Sequence, residues 1–117
     1  MIENVELDII TPLHKPRSDR HLQNLTAEMK ENGWNGRPLL VIERDSDYLA
    51  WTGSHRIAAA RLAGFTSVPC YVLPESKLTA VGFDAEWGLV EDRERLEILR
   101  KVGDETALRI MWQENRS

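Results

Sequence analysis

The sequence predicts an α+β domain: a small mixed β-sheet of about four strands with helices packed on it. Three observations carry that expectation. Leu39-Leu40-Val41-Ile42 is a continuous apolar run, the kind a central strand covered on both faces requires. Val68-Pro69-Cys70-Tyr71-Val72-Leu73 is a second apolar, strand-like run. Around them lie segments whose apolar residues recur three and four apart, the period of helices packed on a core.

Val5-Glu6-Leu7-Asp8-Ile9-Ile10 alternates apolar and charged residues and reads as the first strand. Thr11-Pro12 and Lys15-Pro16 hold the next stretch extended, because proline disfavours helix at itself and at the residue before it. Ser18 or Asp19 can cap a helix running to about Asn32, with Leu22, Leu25 and Met29 on one face and Gly33 as its stop. Gly36-Arg37-Pro38 leads into the strand from Leu39, and Arg44-Asp45-Ser46-Asp47 is the turn of a hairpin to Asp47-Tyr48-Leu49-Ala50-Trp51-Thr52. A short Ala-rich helix follows from His55 to about Gly64, then the strand from Val68 to Leu73. Ser76 to Gly88 reads as a loop with one helical turn. Glu91 to Val102 and Glu105 to Glu114 read as helices, with apolar stripes at Leu96, Leu99, Val102 and at Leu108, Met111, Trp112. Residues 1–75 are expected to form the core and residues 76–117 a C-terminal helical extension packed on the same single domain.

Composition narrows the function classes. A net charge of −4 is spread evenly: residues 1–75 hold eight Lys/Arg against ten Asp/Glu, and the remainder holds seven against nine. Neither part has the basic excess of a chain held to nucleic acid by phosphate contacts, so DNA binding by this chain alone is disfavoured. Its one cationic cluster, His14-Lys15-Pro16-Arg17-Ser18-Asp19-Arg20-His21, suits a small anionic ligand instead. No window is long and apolar enough to cross a bilayer, and the N-terminus lacks a basic segment followed by an apolar one, so a cytoplasmic location is expected. The one cysteine, Cys70, falls in an apolar strand, where an inert buried thiol is expected. No Cys/His spacing fits structural zinc.

The most informative stretch is Gly53-Ser54-His55-Arg56, at a strand-to-helix turn. Glycine permits the tight turn, and Ser54 is placed to cap the helix. A helix N-terminus offers unpaired N–H groups and the positive end of the dipole, His55 adds a donor, and Arg56 can grip phosphate oxygens bidentately. The bland alternative is that Ser54 only caps and Arg56 is only a solvated charge.

Taken together, Pro16-Arg17, the helix from Asp19 to Gly33, Arg37-Pro38-Leu39-Leu40-Val41, Thr52-Gly53-Ser54-His55-Arg56-Ile57-Ala58-Ala59-Ala60 and Val68-Pro69 resemble the ParB/sulfiredoxin superfamily over roughly residues 5 to 73. The resemblance implies a nucleotide site. In ParB proteins the similar turn cradles the triphosphate of CTP; in sulfiredoxins it cradles ATP phosphates and presents a catalytic cysteine; serine-kinase-like members use the same surface to move a phosphoryl group. Pro16-Arg17 looks like the Pro-Arg of the first ParB motif, and His21 falls where sulfiredoxins place a phosphate-contacting lysine. The implied phosphate-binding set is thus Arg17, His21, Gly53, Ser54, His55 and Arg56, for ATP or CTP with Mg²⁺ on the phosphate oxygens.

The departures matter equally. Ser54 stands where sulfiredoxin has cysteine, and sulfinic acid reduction needs a sulfur nucleophile, so that chemistry is not expected. Glu91-Asp92-Arg93 is a faint echo of the Glu-Asn-x-x-Arg segment of ParB, and no helix-turn-helix of ParB length fits after it. His14 is followed by Lys15, not by the catalytic glutamate of the serine-kinase-like members. Three functions remain: a nucleotide-dependent phosphotransferase or hydrolase, with Asp19, Glu28, Glu86 or Glu91 as the candidate carboxylate; a non-catalytic nucleotide sensor or adaptor whose C-terminal helices bind a protein partner; and a ParB-like nuclease, which needs clustered carboxylates and a basic track.

Overall fold

The computed structural model describes residues 2–13, 15, 18–82 and 92–116. Its elements run β1 (Ile2–Glu6), a 3-10 turn (Leu7–Ile9), β2 (Ile10–Pro12), α1 (Asp19–Asn32), β3 (Leu39–Glu43), β4 (Tyr48–Ala50), α2 (Ser54–Leu62), β5 (Ser67–Pro74), α3 (Glu75–Thr79), α4 (Asp92–Val102) and α5 (Glu105–Arg116). The strands form one mixed sheet in the order β1-β5-β3-β4-β2. β3 lies at its centre, parallel to β5 and antiparallel to β4, and the hairpin turn closes with the Arg44 N–H donating to the Asp47 carbonyl at 2.9 Å.

The expected first strand is in fact two short ones at opposite edges. β1 pairs antiparallel with β5, whereas β2 pairs parallel with β4, giving five strands. Between them the 3-10 turn carries the chain across the sheet. Val5 and Leu7 keep the period of a strand, but Leu7 and Ile10 are three apart and both buried, which a helical turn satisfies and a strand does not. Arg61 on α2 locks the crossing, with Nη2 donating to the carbonyls of Leu7 and Ile10 at 3.0 Å each.

Both faces of the sheet are covered, which explains the unbroken apolar runs of β3 and β5. Leu39 and Val41 pack with Val68, Cys70 and Ala50 against Met29 of α1 and Ile57, Ala59 and Ala60 of α2. Leu40, Ile42 and Leu73, with Leu49 and Trp51, face the other way, against Leu78 of α3, Leu99 of α4 and Ala107, Ile110 and Met111 of α5. The period of two along each strand assigns alternate residues to the two layers. Cys70 is fully buried, and burial, with the Glu3 charge adding, pushes its thiol up to about 12.

α1 starts and stops where its residues indicate: the Ser18 hydroxyl accepts from the His21 N–H at 3.2 Å, and Gly33 follows with φ 76°. The stripe of α5 is rotated from the expected one. Ala107, Ile110 and Met111 are buried, whereas Trp112, one residue further round the helix, is 50% exposed. Asp104 caps this helix, with Oδ1 accepting from the Ala107 N–H at 3.0 Å, while Oδ2 accepts from the Tyr71 hydroxyl of β5 at 2.7 Å. The helical turn expected after Pro74 is α3; residues 83–91, which hold the end of that loop and the candidates Glu86 and Glu91, lie outside the described residues. Among the described residues, no helix is long and apolar enough to cross a membrane.

Candidate anion-binding site

The backbone just before α2 is pinned to the sheet by side chain and main chain together. Trp51 N–H donates to the Leu40 carbonyl at 2.9 Å, and the Thr52 hydroxyl accepts from the Leu40 N–H at 3.0 Å. Gly53 then turns the chain at φ 80° and ψ 34°, the left-handed region that favours glycine. Close packing adds to that demand: a Cβ at Gly53 would stand 2.4 Å from Leu39 Cδ2.

Gly53 is itself the N-cap of α2 and makes no side-chain cap hydrogen bond. The capping role expected of Ser54 is therefore corrected. The left-handed turn falls on Gly53, so Ser54 becomes the first helical residue rather than the residue that closes the end. An α-helix leaves its first N–H groups without intrahelical partners, and the N-cap Gly53 has no side chain with which to take one of them up.

Five of the sequence-derived residues, His21, Gly53, Ser54, His55 and Arg56, line one cavity of about 420 Å³, together with Leu25, Asn35, Arg37 and Glu114. Arg17 lies outside the described residues. The volume falls in the range of small-ligand sites. His55 does more than supply a donor on the first turn: its Nε2 accepts from the Ser18 N–H at 3.3 Å. Its ring also meets that of His21 edge-on, with centroids 4.9 Å apart. The starts of α1 and α2 are thereby tied together.

Arg56 is folded into the protein rather than solvated. Its Cζ lies 4.2 Å from the centre of the Trp34 ring, Nη2 donates to the Arg37 carbonyl, and Nη1 stands 3.3 Å from Glu114 Oε2. Burial draws the guanidinium below its ordinary range; Glu114 opposes that shift and the Arg37 charge adds to it. Arg37 Nε donates to the same Glu114 oxygen at 2.6 Å. Two arginines, Arg37 from the segment before β3 and Arg56 from the first turn of α2, thus converge on one carboxylate beside the start of α2, a geometry suited to holding phosphate or carboxylate oxygens.

Arg37 and Glu114 were not among the residues picked from the sequence. Arg37 carried a signal, since a cation in extended chain before Pro38 and a central strand must sit at a sheet end. Glu114 carried one too: it follows Ala107, Ile110 and Met111 by seven, four and three residues, which continues the buried stripe of α5. The carboxylates considered earlier fare differently. Asp19 and Glu28 are exposed on α1 and do not line this cavity. Among the described residues, no three His, Cys, Asp or Glu side chains group to hold a metal ion.

The ParB N-terminal domain family matches residues 1–83 of this chain, a span that contains the stretch whose motifs resemble that superfamily. No curated protein sequence matches it. Among solved structures it is similar to sulfiredoxin from Arabidopsis thaliana, at TM-score 0.57 and 22% identity over 68% of this chain and 94% of that one. It is also similar to the chromosome-partitioning protein ParB from Caulobacter crescentus complexed with CTP-γ-S, at TM-score 0.57 and 22% identity over 63% of this chain and 44% of that one. A free serine kinase in complex with AMP matches at TM-score 0.54 and 24% identity over 62% of this chain and 30% of that one. The chain thus spans less than half of that ParB and less than a third of that kinase. At these identities the likeness is one of fold.

Proposed function

The chain belongs to the ParB N-terminal domain family, and on that premise we propose that it binds a nucleotide, ATP or CTP, with the phosphates at the start of α2. The observation that carries this reading is that Arg37 and Arg56 converge on one carboxylate in a cavity they share with the glycine-capped start of α2. An anion there meets the first-turn N–H groups, which lie before the intrahelical ladder begins, the positive end of a dipole and two guanidinium forks. The similar structures complexed with CTP-γ-S and with AMP support a nucleotide as the ligand. Mg²⁺ would ride on the phosphate oxygens rather than in a protein cage, since the described residues offer no carboxylate cluster for it.

Binding is favoured over turnover. Among the described residues, Glu114 is the carboxylate that lines the cavity, and two arginines hold it in ion pairs, which suits charge balance and not proton abstraction. Ser54 supplies no sulfur, and Cys70 is buried within the sheet, so the chain is not a sulfiredoxin in its chemistry. The role that fits is a nucleotide-responsive binding module, with phosphoryl transfer as the outcome that would revise it.

Calorimetric titration at fixed salt with ATP, CTP, GTP and their diphosphates tests the reading, with melting temperature measured alongside. At least one nucleotide is expected to bind and to stabilise the fold. Arg56→Ala is expected to weaken that binding by about ten- to a hundredfold, the worth of a charge-assisted hydrogen bond. Absence of heat and of stabilisation with every nucleotide, with or without Mg²⁺, overturns it. Phosphate release or transfer with any of them would make the chain an enzyme.

A further inference from the structure

We infer that Glu114 is a built-in occupant of the anion site, a latch that holds the end of α5 over the start of α2 until the phosphates of a ligand displace it. This inference rests on the nucleotide reading above and adds a mode of regulation to it. Glu114 Oε2 lies 2.6 Å from Arg37 Nε and 3.3 Å from Arg56 Nη1, so one carboxylate oxygen serves both cations. Its other oxygen, Oε1, lies 3.5 Å from where a Cβ on Gly53 would stand, beside the turn that opens α2. A carboxylate in that position presents the same chemistry as a phosphate edge: two oxygens, negative charge and planar acceptance from arginine.

The position of Glu114 in its own helix supports a releasable contact. It lies in the last turn of α5, where the dipole favours cations, so its charge is unfavourable to α5 and is compensated by arginines from elsewhere in the chain. Upstream, α5 is anchored independently: Ala107, Ile110 and Met111 are buried on the sheet, and Asp104 joins the helix start to Tyr71. Trp112 and Gln113, just before Glu114, are exposed. Displacing Glu114 therefore loosens the final turn while the body of α5 stays on the core.

The competing account is that Glu114 permanently holds the two arginines in position for the ligand. Titrating wild type and Glu114→Gln with inorganic tripolyphosphate, ATP and CTP at fixed salt separates the two. The glutamine keeps the size of the side chain and removes its charge, so the latch predicts binding about tenfold tighter in the variant, the scale of one charge-assisted contact no longer competed away. Unchanged or weaker binding in Glu114→Gln, with wild type still binding, overturns the latch and leaves the nucleotide reading standing. If neither protein binds any of the three ligands, the nucleotide reading falls and the latch with it.

Hydrogen exchange on wild type gives a second measurement, which decides should the variant fail to fold. Ligand is expected to speed exchange from Trp112 to Arg116 while slowing it at Ser54 to Arg56. Ligand-induced protection of the last turn of α5 would overturn the latch.

Discussion

Two helix starts in this protein are built from the same backbone groups and closed in opposite ways. α5 begins at Asp104, whose carboxylate accepts from the Ala107 N–H and from the Tyr71 hydroxyl, so the end is capped and tied to β5. α2 begins at Gly53, which has no side chain with which to cap, and the space at its start is a cavity bordered by arginines. A carboxylate stands near this second start as well, but it comes from Glu114, sixty-one residues away in sequence, and it is directed to the two arginines. The contrast teaches that an uncapped helix end is informative only beside a capped one. One sequence spends a side chain on closing α5 and places glycine where closing α2 would fill the site.

The comparison is broken most severely by Gly53→Ala. The added methyl meets Leu39 Cδ2 and forces a left-handed φ on an L-residue. A loss of roughly 2 to 4 kcal/mol is expected from strain and overpacking together. Urea unfolding measures it, and a loss under 1 kcal/mol would mean that the turn is not held in this geometry.

Asp104→Ala is next, at about 2 kcal/mol, because it uncaps α5 and leaves the Tyr71 hydroxyl without its acceptor. Its pH dependence sharpens the point. Burial would raise the Asp104 carboxyl, but hydrogen bonds from the Ala107 N–H and the Tyr71 hydroxyl, with the Lys77 charge, outweigh it and hold the group below its ordinary 3.8. A carboxyl depressed in the folded state stabilises the protein above its unfolded pKa and loses that contribution as pH falls through the folded value. Wild type should therefore lose stability below about pH 4 more steeply than Asp104→Asn, read from melting temperature against pH. Parallel acid limbs would remove Asp104 as a cap.

The smallest effect separates two serines. Ser18→Ala should cost about 1 kcal/mol, since its hydroxyl caps α1, whereas Ser54→Ala should cost no more than about 0.5 kcal/mol because Ser54 is not a cap. Equal losses would return Ser54 to the capping role that the sequence suggests.

By itself the sequence determined what is local. The Ser18 cap and the Gly33 stop of α1, the buried strands around Leu40 and Cys70, and the glycine turn before α2 depend on neighbours within a few residues, whose conformational preferences act wherever the segment lies. Alternation also marked the segment around Val5 as extended, but it could not reveal that Leu7 and Ile10 would carry the chain between opposite sheet edges, because that depends on Arg61 binding carbonyls more than fifty residues away. Ser54 was misread for a related reason: cap identity depends on which residue takes the left-handed turn, and close packing on Leu39 gave it to Gly53. The charge balance of the site belonged to tertiary structure alone. Helical spacing places Glu114 on the buried side of α5, but only the packing of Ala107, Ile110 and Met111 on the sheet sets how far along it the helix ends. That register, a sum of long-range apolar contacts with no local signature, brings Glu114 to Arg37 and Arg56.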